Sequence, residues 1–166
     1  MQLTIPLDGP AGERVDLWRT LVSHGVADLP PMHVDEEKRT LTATLPVAGA
    51  KPRTVMIREG KREALVKVLG PRLGARVEER LRATLRRVLN LDEDLSGFYE
   101  AAAGDPDLAW ATAGAGRMLR SPTVYEEVTK TRCPYITTPG TSPGARLLAL
   151  VGGVRLTLSH LVCLFC

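Results

Sequence analysis

Residues 40–89 read TLTATLPVAGAKPRTVMIREGKREALVKVLGPRLGARVEERLRATLRRVL, and within them the hydrophobic period changes once. TLTATLPV (40–47), TVMIRE (54–59) and EALVKVL (63–69) are short β-rich runs separated by Gly, Pro and charge, and Leu41, Ala43, Leu45 and Val47 alternate strictly. A period of two places one face of a strand on a core. From Ala75 to Leu89 the spacing lengthens: Val77, Leu81, Leu85 and Val88 form one stripe while most of the arginines fall off it, the pattern of an amphipathic helix. Glu78 and Glu79 in its first turn and Arg86 and Arg87 in its last match the helix dipole. Strands first and helices second predict an α+β fold with an antiparallel sheet.

Working outward, QLTIPL at residues 2–7 is a further strand. Downstream, Asp92 can cap a helix on which Leu95, Phe98, Tyr99 and Ala102 recur at helical spacing, ending near Gly104. Asp105-Pro106 and Ser121-Pro122 each pair an N-cap residue with proline at the first helical position and predict two more helices, the second running to about residue 132. The expected organisation is an antiparallel β-domain closed by its amphipathic helix (1–90), the start of a helical domain (91–132) and a different material from 133 to 166.

The contrast at residue 133 is compositional. The chain has 166 residues, 44% of them hydrophobic and 25% charged, values that exclude wholesale disorder, a collagen-like chain and a multi-span membrane protein. Yet of 41 charged residues only Arg146 and Arg155 fall in the last 34 positions, where a uniform chain would place roughly eight. LLALVGGVRLTLSHLVCLFC (147–166) has spanning length, but Arg155 and the Gly152-Gly153 pair argue against an anchor, so a membrane is not the expected partner. No signal or transit peptide is legible before Arg14. Cys133, Cys163 and Cys166 do not make a disulfide framework, and a reducing cytoplasm is expected, with nucleoid association if the chain binds DNA. Net charge is +3, which permits a polyanionic partner, while two Trp, three Tyr and two Phe leave few platforms for stacking single-stranded bases.

Three strings then occur in order: LDEDLSGFY (91–99), DPDL (105–108) and RSPTVYE (120–126). Together they resemble the start of the helical domain of the helix-hairpin-helix DNA glycosylases, the superfamily of the alkylated-base and 8-oxoguanine glycosylases. HGVADLPP (24–31), ahead of the strands, is similar to the small amino-terminal β-domain of the same enzymes. The resemblance covers roughly residues 15–132 and implies base-excision repair: a damaged nucleotide is flipped out of duplex DNA and its N-glycosidic bond is cleaved. It then stops. The family's Leu-Pro-Gly-x-Gly hairpin and the catalytic Asp that follows it do not occur, and PYITTPGTSPGARL after Cys133 cannot continue a helix past Pro134. Pro139-Gly140-Thr141-Ser142 can be encoded by bases that, read two positions on, give Trp-Asp-Gln, which is similar to the family at that place. The expectation is a truncated glycosylase-like protein, inactive as written, whose residues from about Arg132 onward are a frameshifted or otherwise aberrant tail. The alternative is a non-enzymatic α+β module for nucleic-acid or protein contact.

For sites, six arginines lie between Arg72 and Arg87 against two glutamates. Arg86, Arg87, Arg117, Arg120 and Lys130 are the candidate contacts to DNA phosphates, although a charged helix face is more often only solvated. His160, Cys163 and Cys166 would give zinc three ligands where a structural site wants four, so no metal is assigned. Asp92, Asp94, Asp105 and Asp107 are read as caps, no catalytic residue is assigned, and no cofactor is implied. The Leu69–Gly74 loop is read as a turn with incidental anion affinity.

Overall fold

The computed structural model describes residues 1–23, 25–132, 149–151 and 154–156. The chain falls into two compact units, Met1–Pro122 and Thr123–Cys166.

The first unit is built on five strands: β1 (Gln2–Pro6), β2 (Met32–Asp35), β3 (Thr40–Val47), β4 (Ala50–Glu59) and β5 (Glu63–Val68). They pair antiparallel in the order β1-β5-β4-β3-β2. The alternation in the sequence becomes a register: Leu3 lies opposite Val66, Val66 opposite Ile57, Ile57 opposite Leu41 and Leu41 opposite Val34. One apolar row therefore crosses the whole sheet on its inner face. Helix α1 (Leu17–Leu21) contributes Leu17 and Leu21 to this core, and α2 (Ala75–Val88) contributes Leu81, Leu85 and Val88, all essentially inaccessible. Burying each such side chain is worth about 1.5–3 kcal/mol, so the α2 stripe contributes strongly to holding the helix on the sheet.

Each open edge of the sheet has one of its outward groups taken by a side chain. On β1 the outward carbonyl of Thr4 accepts from Arg82 Nη1 at 2.7 Å, and on β2 the outward amide of Val34 donates to Asp28 Oδ1 at 2.9 Å. An unpaired strand edge is a template for another chain, and here a side chain takes a group of each.

The α+β class and the helix from Ala75 agree with the sequence reading; three helix starts do not fall where it put them. Asp92 does not cap α3 (Ser96–Ala103). It is drawn to Arg86, with Nη2 2.6 Å and Nε 2.9 Å from Oδ1, and Asp94 instead accepts the Ser96 amide at 2.9 Å. After Asp105-Pro106 there is a turn and a short 3-10 helix, Ala109–Ala113, in place of an α-helix. It ends at Gly114, whose φ of +105° and whose approach to the Arg14 carbonyl leave no room for a Cβ. The sequence also gave no sign of β2 or α1, which are four and five residues long.

The second unit contains α4 (Val124–Arg132) and a hairpin of β6 (Ala149–Val151) with β7 (Val154–Leu156). α4 starts two residues later than Ser121-Pro122 suggested, because Thr123 Oγ1 accepts the Glu126 amide at 3.1 Å. The expected aberrant tail, the 147–166 segment and all three cysteines fall mostly or wholly outside the described residues. Among the described residues no helix is long and apolar enough to cross a membrane, and no cluster of His, Cys, Asp or Glu could hold a metal.

Candidate nucleic-acid interface

Helix α2 ends where the candidate cations gather. Its last turn is closed by a reversal in which the Leu91 amide reaches the Arg86 carbonyl at 2.9 Å and the Asn90 amide the Arg87 carbonyl at 3.1 Å, with Asn90 at φ +54°. This is the double-bonded C-terminal motif in which glycine or asparagine takes the left-handed position. It sends the chain into the 91–95 loop and leaves Arg87, Asn90, Asp92, Glu93 and Arg120 around a hollow of about 320 Å³.

The structure brings four of the five candidates to this region and engages three of those with neighbours. Arg86 is paired with Asp92 at 2.6 Å. Arg87 donates to the Pro122 carbonyl. Arg117 is inside the protein, its side chain wholly inaccessible, with Nη2 2.6 Å from Glu13 Oε1 and Nη1 donating to the Asn90 and Glu93 carbonyls at 2.5 and 2.8 Å. It is a structural clamp, out of reach of a phosphate. Arg120 is exposed, and its guanidinium engages nothing among the described residues. Lys130 belongs to the second unit, where it is buried and lies 2.6 Å from Glu126 Oε1, one turn away on α4.

Around the clamp the polar groups answer one another. Glu13 also accepts the Ala11 amide through Oε2 at 2.9 Å. The Tyr99 hydroxyl donates to the Ala115 carbonyl at 2.7 Å, and burial pushes its pKa above the usual 10.0, with Arg117 lowering it and Glu13 raising it to smaller extents. The Asp94 carboxyl is held below its ordinary value first by the hydrogen bond from the Ser96 amide. Asp105 accepts the Asp107 amide at 2.8 Å. These are local structural duties, but neither Asp94 nor Asp105 is the helix N-cap that the sequence suggested, since Leu95 and Leu108 stand at those positions. What the sequence could not show is Glu13, whose partner Arg117 lies 104 residues away.

No protein-family model matches the chain, and neither does any curated protein. Among solved structures, a 3-methyladenine DNA glycosylase from Archaeoglobus fulgidus is similar over 93% of this chain, with a TM-score of 0.54 and 16% identity. The match spans 54% of that enzyme, so this chain corresponds to about half its length. At that identity the likeness establishes the fold: an α+β arrangement of the kind found in a DNA glycosylase.

Proposed function

We propose that the chain is a relative of the DNA N-glycosylases of base-excision repair, of the helix-hairpin-helix type, and that as written it binds duplex DNA without removing a base. The fold likeness to a 3-methyladenine DNA glycosylase carries this reading, supported by the ordered strings LDEDLSGFY, DPDL and RSPTVYE. Under it, residues 1–90 are the β-domain, 91–132 open the catalytic helical domain, and 133–166 replace what would follow.

Excision needs a closed pocket for the flipped base and a carboxylate to stabilise the positive charge developing on the sugar. No Asp or Glu follows Glu127 in the chain, and Glu13, Asp92, Asp94 and Asp105 upstream are engaged by their own neighbours. These engagements favour binding without excision. Of the candidate contacts, Arg120 is the one whose charge faces solvent without a partner among the described residues; Arg86 and Arg87 would each have to leave one to reach a phosphate. The reading requires no cofactor, and it implies a cytoplasmic protein associated with the nucleoid. The exposed side chains of Phe98, Trp110 and Met118 favour a second reading, a non-enzymatic module that meets another protein.

The gene itself tests the parentage. If a neighbouring frame beyond the Arg132 codon continues into a Leu-Pro-Gly-x-Gly hairpin followed by an Asp, the parent was an enzyme. If neither frame does, the interaction module is the better description.

A further inference from the structure

The two ends of the five-stranded sheet differ in charge pairing. At the end carrying the β4–β5 turn, three cations meet carboxylates, Arg39 with Glu59 at 3.4 Å, Arg62 with Asp8 at 3.2 Å and Lys38 with Asp35 at 2.6 Å, while the exposed Arg58 and Lys61 meet none among the described residues. The opposite end is formed by the middle of one stretch free of Asp and Glu, 38–58, and the later part of another, 64–77. The fold joins them there. The Leu69 amide bonds the Thr54 carbonyl at 2.9 Å, setting the start of the β5–α2 loop beside the middle of β4, and Arg80 Nη1 reaches the Ala48 carbonyl at 2.5 Å, setting the second turn of α2 on the β3–β4 turn.

Lys51, Arg53, Arg72, Arg76 and Arg80 are thereby gathered at one end. Arg53 folds back on the Lys51 and Pro52 carbonyls, and Arg80 holds the turn. Lys51, Arg72 and Arg76 are exposed, and their side-chain cations engage nothing among the described residues. Of the nearest carboxylates, Glu78 is held by Arg82 at 2.8 Å and Glu79 alone is exposed. Around Gly70 and Gly74 of the loop an added Cβ would meet only open space, so a large partner can approach the backbone.

We infer that this end of the sheet is a docking surface for the phosphate backbone of duplex DNA, contacted by Lys51, Arg72 and Arg76. The inference rests on the DNA-binding reading above and moves the contact away from the end of α2, where Arg86 and Arg87 already have partners. Neither stretch contains an aromatic residue, so there is nothing on which to stack single-stranded bases. Leu69 is the one large apolar side chain exposed there, which is too little to enter a bilayer.

The test uses the full 166-residue chain, a fluorescein-labelled undamaged duplex and a salt series. Lys51→Ala/Arg72→Ala/Arg76→Ala should weaken binding about tenfold or more at low salt and flatten the slope of log affinity against log salt by about 0.9 per contact removed. Lys38→Ala/Lys61→Ala/Arg62→Ala removes the same charge from the other end and should leave affinity within about twofold. Circular dichroism confirms that both variants fold. If the first variant binds like the parent, or both weaken equally, the docking surface is wrong while DNA binding stands. A parent chain that binds no duplex overturns the docking surface and the DNA-binding reading together, as does one that binds phosphatidylglycerol vesicles but not DNA.

Discussion

A guanidinium taken out of water is tolerable only where its charge and its donors are answered. Arg117 is answered by Glu13 and by the Asn90 and Glu93 carbonyls, with Nε alone left without a bond among the described residues. Three segments far apart in the sequence are tied at this point, so Arg117→Ala should destabilise the protein by about 3–5 kcal/mol, because it strands the Glu13 carboxylate. Urea unfolding measures this directly. The double change Glu13→Gln/Arg117→Met should cost less than the sum of the single ones, since neither buried charge is then left alone. A loss below about 1 kcal/mol for Arg117→Ala would mean that the clamp does not hold these segments. None of this was legible beforehand: an arginine beside Gly116 and Met118 reads like any surface cation until its long-range partner is known.

Among the elements, those with several turns or residues in one period were readable and those decided by a single contact were not. α2 repeats its apolar spacing over 14 residues and carries matching charges at both ends, so sequence and structure agree nearly to the residue. The strands β3, β4 and β5 were readable for the same reason. α1 and β2 are too short to show a period, and β2 is secured by Asp28 reaching back to its edge amide. The helix starts depended on which of two neighbouring polar residues captures an amide. For α4 that residue is Thr123. Thr123→Ala should therefore loosen the first turn by about 1 kcal/mol and speed hydrogen exchange at the Glu126 amide, whereas Ser121→Ala should leave that amide unchanged. Equal acceleration in the two variants would return the cap to Ser121.

At the scale of the whole molecule, the class of fold was fixed by the order of periods, while the strand order needed the structure, because a meander of β2 to β5 can receive the amino-terminal strand at either edge. β1 takes the β5 edge, and Arg82 from α2 then covers its outer side. The candidate site was legible only as a list of cations. Which of them are free depends on carbonyls and carboxylates brought from elsewhere, so Arg86, Arg87 and Arg117 look equivalent in the sequence to Lys51, Arg72 and Arg76 and differ entirely in the fold. The proposed function joins a glycosylase-like fold to DNA binding without base removal. It is tested most directly by incubating the purified chain with duplexes carrying 3-methyladenine or 8-oxoguanine and scoring abasic sites beside a binding measurement in the same samples. Salt-sensitive, sequence-independent binding is expected, with affinity of about 10⁻⁴ to 10⁻⁶ M at physiological salt, and no abasic product above buffer; turnover of either lesion would show that the chain is an active glycosylase.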